Sequence, residues 1–375
     1  MIKIAVDTMG GDKAPSAVVE GALLAAKELE VRVVLVGQKD AVEQELSRHS
    51  PESSPFDIVH ASQTVDMSES PSTSLKKRDS SIAVAFDLLK QGEVQAVVSA
   101  GNSGALMATG MFVLGKLPQV ERPAILIVIP TLGKGTVIID AGANVDCKPR
   151  HLVQFGFMGS IYAERVLGIS RPRVGVLSNG EEGGKGNELT RAASEQLSSA
   201  PLNYIGYVEG RDVCHGGVDV VVCDGFTGNV TLKIMEGVAS FILGVLKEAF
   251  QQNLLSRLGY FLSHKSLRQA YARLDHAEHG GAPLLGLNGV AIIAHGGSDS
   301  KAIKNAIRVA KETASHDVNR HIIDDLGGLG EIEGEKEDLF PRRIWRQIKS
   351  KIETLGEKPP PLDGKDREKK SEKKS

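Results

Sequence analysis

A chain of 375 residues with 41% hydrophobic residues holds enough apolar surface to offset the entropy of folding, which excludes a disordered protein. Its 45 Lys and Arg stand against 47 Asp and Glu, a formal charge of −2, which excludes a generally basic nucleic-acid binder. The length points to about two domains or one large α/β unit. Glycine is enriched, 41 of 375 residues or about 11% against a usual level of about 7%, and its placement carries the reading that follows.

In chain order one pattern recurs: a short apolar run, a glycine-bearing polar loop, then a helix-like stretch. Ile2–Val6 leads into DTMGGDKAP and VVEGALLAAKEL, and Val94–Val98 leads into SAGNSGA and LMATGMFVL. Val137–Ile139 precedes DAGANVDCKP and a long amphipathic stretch; Arg173–Leu177 precedes SNGEEGGKGNE and LTRAASEQL. Val218–Cys223 opens into DGFTGNV and TLKIMEGVASFILGVL, and Val290–Ala294 into HGGSDS and KAIKNAIRVAKE. Continuous Val/Ile runs suit strands covered on both faces, as in a parallel sheet. Strand followed by helix, repeated, builds right-handed βαβ crossovers. The expected fold is a three-layer α/β/α sandwich with a mostly parallel sheet.

The stretch 236–274 differs. Phe241, Ile242, Leu243, Val245, Leu246, Ala249 and Phe250 are followed by Leu254, Leu255, Leu258, Phe261 and Leu262, with a break expected near Ser263. Arg257, His264, Lys265, Arg268 and Arg273 lie among them. This predicts a protruding helical arm with an apolar stripe and basic flanks, serving either as a dimer interface or ordinary core, or as a membrane contact. Beyond residue 334 the basic segment FPRRIWRQIKSK and the low-complexity PPPLDGKDREKKSEKKS form a separate tail, 335–375. Its basic face suits anionic lipid, or simply solvent before a frayed end.

Three cysteines, Cys147, Cys214 and Cys223, are odd in number and lack metal-ligand spacing, so a reducing cytoplasm is expected rather than a disulfide scaffold. MIKIAVD reads directly as a strand, and no signal peptide is expected before it. No apolar run approaches the roughly 20 residues of a spanning helix, so the expectation is a soluble protein that at most lies on a membrane.

In an open α/β sheet, ligands bind beyond the carboxyl ends of the strands, so parallel strands would place all six glycine loops on one edge. Each loop is a helix entry, where unpaired N–H groups favour an anion. GNSG, GNE and TGN offer neutral donors, and Lys185 is the lone lysine of SNGEEGGKGNE. Any one such loop is most often a plain tight turn; their convergence is what suggests a phosphate or oxyanion site. No Walker pattern and no helix-opening GxGxxG indicates a nucleotide, and no GxSxG elbow indicates a hydrolase triad. Cys223 reads as inert core, and Cys214 beside His215 makes no nucleophile–base pair by adjacency alone. His276 and His279 lack further metal ligands, whereas His295, directly before GGSDS, has a catalytic address.

Taken together, DTMGGDKAP, SAGNSGALMATG, RPAILIVIPT, DAGANVDCKP, LSNGEEGGKGNELTR, CDGFTGNVTLK, GGAPLLGLNG and AHGGSDSKAI closely resemble the phosphate acyltransferase (PlsX) family, in order from Met1 to Gly334. The tail lies outside the resemblance. What it implies is transfer of a long acyl group from the thioester of acyl carrier protein to inorganic phosphate, giving an acyl phosphate for phospholipid synthesis. It further implies a fold like isopropylmalate dehydrogenases and phosphotransacetylases, a homodimer in the cytoplasm associated peripherally with membrane, and a membrane glycerol-3-phosphate acyltransferase as the product's recipient. Neither cofactor, metal nor nucleic acid is expected.

Phosphate would itself be the nucleophile, so the protein need only orient it and stabilise the oxyanion. On that basis Lys185 is expected to neutralise charge, with Asn229 and Thr227 donating to the same centre. His295 would protonate the leaving thiolate or orient phosphate, or else serve only as a strand-end residue. Gly10, Gly11, Asn102, Ser103, Asn187 and Ser298 are expected to line the anion pocket. Leu254, Leu255, Leu258 and Phe261, with Arg257, Lys265 and Arg268, are expected to touch membrane or carrier protein. The rival readings are a short-chain phosphotransacylase using acyl-coenzyme A and a non-catalytic acyl or carrier-protein binding module.

Overall fold

The computed structural model describes residues 1–49, 56–131, 133–274 and 280–327, the side chains of 268–274 excepted. Residues 1–325 form one compact unit; of a second, 326–375, only the first two residues are described. The first unit opens with β1 (Lys3–Asp7), α1 (Ser16–Glu28), β2 (Arg32–Gly37), α2 (Lys39–His49), β3 (Asp57–His60), α3 (Pro71–Ser74) and α4 (Ser81–Lys90). It continues through β4 (Ala96–Ser99), α5 (Ser103–Val113), β5 (Ala124–Ile129), β6 (Thr136–Ile139), α6 (Pro149–Arg165), β7 (Val174–Leu177) and α7 (Glu188–Ser198). It closes with β8 (Tyr204–Val208), α8 (Asp212–His215), β9 (Val220–Val222), α9 (Gly225–Gln251), α10 (Leu254–Leu274), β10 (Ala282–Leu285), β11 (Val290–Ile293) and α11 (Ser300–Ser315).

Among the described residues, eleven strands form one sheet in the order β3-β2-β1-β4-β11-β10-β5-β6-β9-β7-β8. Side chains alternate across it. Ile4 and Val6 pack with Val18, Ala22, Ile303 and Ala306 of α1 and α11, while Ala5 between them packs with Ile82, Phe86 and Leu106 of α4 and α5. In the other half, α6 lies over β6 and β9, with Gly159 close against Val220 and Ile139. Val221 and Ile138 face away from it, toward Leu232 and Met235 of α9. Both sheet faces are therefore covered by helices, the expected sandwich.

Strand direction departs from the expectation. β1, β2, β3, β4 and β11 run parallel to one another, as do β6, β7, β8 and β9. Between the groups, β10 is antiparallel to β11 and to β5, and β5 is antiparallel to β6. Three reversals leave the two groups pointing opposite ways. The glycine loops consequently do not share one edge.

The helical arm is also placed differently. α9 starts at Gly225, not near residue 236, and runs unbroken to Gln251. The interruption falls at Gln252–Asn253, where the Asn253 side chain accepts the Ser256 N–H at 2.8 Å and starts α10. Ser263, the expected break, sits inside α10 with its hydroxyl bonded to the Gly259 carbonyl. α9 also overturns the expectation of no membrane-length helix: by length and composition it could span a bilayer, with mean hydropathy 1.5 over its best 18 residues. Lys233, Glu236, Lys247 and Glu248 interrupt every continuous apolar run yet leave that average high.

The starts of β7 and β9 are tied by charge. The Arg173 guanidinium meets both Asp219 carboxylate oxygens, at 2.9 and 3.0 Å, and the Arg173 backbone N–H adds a third bond at 2.8 Å. Burial alone would raise the Asp219 pKa, but these donors outweigh it and hold the carboxyl below its ordinary value. A depressed carboxyl adds stability that is full above the unfolded Asp value of about 3.9 and is lost as pH falls from there through the lower folded value. Asp219→Asn is expected to cost about 1 kcal/mol at pH 7, solvent screening this half-exposed pair. Melting curves of variant and wild type should converge below about pH 4; an undiminished gap at pH 3 contradicts the assignment.

Candidate functional site

Two loop groups, one at each set of strand ends, hold the residues singled out from the sequence. The first gathers the loops after β1, β4 and β11. Asp7, the last residue of β1, is buried; its carboxylate accepts the Ser99 hydroxyl at 2.7 Å and the Met9 N–H at 3.1 Å, and Ser99 in turn accepts the Gly101 N–H at 3.0 Å. Burial pushes the Asp7 carboxyl above its usual range, against these donors. The loops touch closely enough that a Cβ at Gly10 would lie 2.7 Å from both the Asp7 carboxylate and the Gly101 nitrogen. Gly11, at φ +103°, has a conformation that glycine alone adopts readily, and the next N–H, of Asp12, reaches the Gly296 carbonyl at 2.8 Å.

Three expected pocket residues, Asn102, Ser103 and Ser298, fall here with Gly10 and Gly11, together with His295, expected to be catalytic. The Asn102 amide caps α5 through the Ala105 N–H and donates to the Met67 and Glu69 carbonyls. Ser103 is exposed at the first turn of α5, and Ser298 is buried. His295 is exposed, its Nδ1 accepting the Gly297 N–H at 3.1 Å.

The second group gathers the loops after β6, β7 and β9, three adjacent strands with a common direction. Asp140, immediately after β6, is 0% exposed. Its carboxylate accepts N–H groups of Ile125, Gly142, Ala143 and Asn144 and the Asn144 side-chain amide, at 2.7–3.1 Å. Burial raises its pKa, opposed first by the Ala143 N–H and the Asn144 amide. Asp224 caps α9, accepting the Thr227 N–H at 2.9 Å and the Thr227 hydroxyl at 2.8 Å. The Thr227 hydroxyl, expected to donate to the reacting centre, here donates to the Asp224 cap.

Asn229, one turn into α9, is exposed, and its side chain has no hydrogen-bond partner among the described residues. It lies beside Gly142, whose Cβ position is 3.5 Å from that of Asn229. Lys185 is half-exposed, its ammonium 4.0 Å from the Glu182 carboxylate, and its loop is held by the Asn179 side chain on the Gly186 N–H at 2.8 Å. Asn187 spends its carbonyl oxygen capping α7 on the Thr190 N–H.

The single pocket expected from the sequence therefore divides: Gly10, Gly11, Asn102, Ser103, His295 and Ser298 on one side, Lys185, Asn187, Thr227 and Asn229 on the other. α5, about 16 Å long at 1.5 Å per residue, runs from the first group toward the strand ends of the second. The sequence reading missed Asp7, Asp140, Asn144 and Asp224. Each acid stands at the end of a short apolar strand run, the one signal that marks it.

On the arm, Leu254 and Leu255 are each 81% exposed, and Leu258, Phe261, Phe241 and Ile234 are exposed as well, to a lesser degree. Phe250 and Tyr260 pack at 5.4 Å across the turn between α9 and α10. Arg257 and Lys265 are exposed; the side chain of Arg268, His276, His279 and the tail 335–375 lie outside the described residues. Cys147, Cys214 and Cys223 are free thiols; Cys223 is buried, and burial lifts both it and Cys147, the latter to about 12.

A family model described as "Fatty acid synthesis protein" matches residues 2–321. The chain is 54% identical over 326 residues to "Phosphate acyltransferase" of Geotalea uraniireducens, covering 87% of this chain and 94% of that protein. It is 52% identical, with the same coverage, to "Phosphate acyltransferase" of Geobacter sulfurreducens. Among solved structures it is similar to a phosphotransacetylase from Streptococcus pyogenes, with TM-score 0.59 and 15% identity over 84% of this chain and 94% of that one. The EutD phosphotransacetylase from Staphylococcus aureus matches with TM-score 0.53 and 16% identity over the same shares. These last two likenesses concern the fold.

Gly228 offers a test of how tightly the second group is built. A Cβ there would sit 1.9 Å from the Asp140 carbonyl oxygen, so backbone must move. Gly228→Ala should therefore destabilise by about 1–3 kcal/mol in denaturant titration, despite alanine's better helix propensity. Equal or greater stability would show that α9 does not press on β6 as described.

Proposed function

The chain belongs to the phosphate acyltransferase family, whose members are acyltransferase enzymes, and from that membership we propose that it moves a long fatty acyl group from acyl carrier protein to inorganic phosphate. A phosphate oxygen attacks the thioester carbonyl, the C–S bond breaks, and the carrier thiolate takes up a proton. The product, an acyl phosphate, feeds phospholipid synthesis through a membrane glycerol-3-phosphate acyltransferase. The observation that carries this reading beyond the family is α9 itself. One helix begins at the second loop group and continues into an exposed apolar arm, so the anion-binding end and a lipid-compatible surface are one rigid body.

In this reading the second group holds the reacting centre. Lys185 neutralises phosphate, and the unpartnered Asn229 amide donates to phosphate or to the developing oxyanion, a contribution of about 3 kcal/mol, or about 100-fold in rate. Thr227 acts through Asp224, by fixing the first turn of α9. The protein works as a homodimer in the cytoplasm, and its second copy supplies what one chain keeps apart: the first group of one protomer, with His295, Ser298 and Gly10, faces the second group of its partner. The arm, anchored through the buried Gly225 and Gly228 of its first turn, lies on the membrane with Leu254, Leu255, Leu258 and Phe261 in lipid and Arg257 and Lys265 toward anionic headgroups.

Incubated with palmitoyl-acyl carrier protein, the enzyme should release free carrier protein and form acyl phosphate only when orthophosphate is added. Release without phosphate, or preference for acyl-coenzyme A of equal chain length, would favour a different donor chemistry. Lys185→Ala and Asn229→Ala should each lower kcat about 100-fold; near-normal turnover in both removes the assignment. Mixing Lys185→Ala with His295→Ala chains should restore about a quarter of wild-type activity, because half the dimers are mixed and each holds one intact site. No recovery would mean the two groups do not meet across copies. Leu255→Glu with Leu258→Glu should release the protein from anionic vesicles while turnover measured without vesicles persists.

A further inference from the structure

The described residues hold one other buried acid at the second loop group, and no catalytic role has been given to it. Asp140 makes no contact with solvent, yet five donors converge on it, four of them from its own loop. Two lead onward. The Asn144 N–H and side-chain amide meet one carboxylate oxygen at 2.7 and 2.9 Å, and the Asn144 carbonyl then accepts the Gly225 N–H at 2.7 Å. Gly225 is the first residue of α9, and Asn229 follows one turn later.

Packing reinforces this chain of bonds. A Cβ at Gly225 would approach the Asp140 carboxylate to 2.8 Å, and one at Gly228 would overlap its carbonyl. Gly142, whose N–H is also bonded to Asp140, backs directly onto Asn229. The loop after β6 and the first turn of α9 thus share one origin, and their spacing is set at that carboxylate.

We infer that Asp140 is a positioning residue for acyl transfer, acting through Asn144 and Gly225 to hold Asn229 where it meets phosphate. This rests on the reading that puts Asn229 at the reacting centre. Asp140→Asn keeps the volume but turns one acceptor oxygen into a donor that opposes the N–H groups it faces. A displacement of about 1 Å at a donor costs as much as about 100-fold in rate.

The test is a double-mutant cycle with purified full-length enzyme and palmitoyl-acyl carrier protein, varying orthophosphate. Asp140→Asn should lower kcat about 10–100-fold with the KM for the acyl donor unchanged. Added to Asn229→Ala, it should lower kcat by no more than about twofold further, because the residue it positions is already gone. Effects that multiply would overturn the inference while leaving the role of Asn229 intact. Full activity of Asn229→Ala alone would overturn the reading beneath it, a result separable from the first. Should Asp140→Asn not fold, Asn144→Ala takes its place: it deletes one donor to Asp140 but keeps the carbonyl that receives Gly225. Coupling to Asn229 then supports the inference, and independence defeats it.

Discussion

Three successive antiparallel pairings, β11 with β10, β10 with β5 and β5 with β6, reverse strand direction across the middle of the sheet, and the placement of every functional loop depends on that odd number of reversals. Had all eleven strands run parallel, six glycine loops would face one rim and one chain could close a pocket from all of them. Instead each half points its strand ends away from the other half's, and each closes its own smaller cluster.

The two halves solve the same local problem in the same way. Asp7 at the end of β1 and Asp140 just after β6 each bury a carboxylate where an apolar strand ends and spend it on donors that include N–H groups of the glycine loop that follows, Asp7 also taking the Ser99 hydroxyl of β4. A buried acid without such donors would cost far more than the fold gains from it. With them, loop shape is fixed before any ligand arrives, as transition-state stabilisation requires. The difference lies in what comes next: α5 stays within the globular unit, whereas α9 continues outward into the arm.

Much of the architecture was legible because its signals are local. Val/Ile runs ending in glycine loops mark β1, β4, β6, β7, β9 and β11, and amphipathic spacing marks α11. Strand direction was not, since a run such as AILIVI reads the same whichever way its neighbours point, and only long-range pairing decides. The break in the arm was misplaced for a simpler reason. Asn253, a good cap directly before Leu254, outweighs Ser263, whose hydroxyl bonds back within the helix. Lys185 and Asn229 stood out as polar groups in glycine loops. Asp140 did not, because one acid after a strand looks like any turn residue until its five donors are seen.

In the proposed reaction the loops after β6, β7 and β9 grip phosphate. Amide hydrogen exchange followed by mass spectrometry, with and without excess orthophosphate, tests it most directly. Slower exchange is predicted in peptides covering residues 140–147, 180–187 and 225–230. Unchanged exchange across all three, whatever happens elsewhere in the chain, would contradict it.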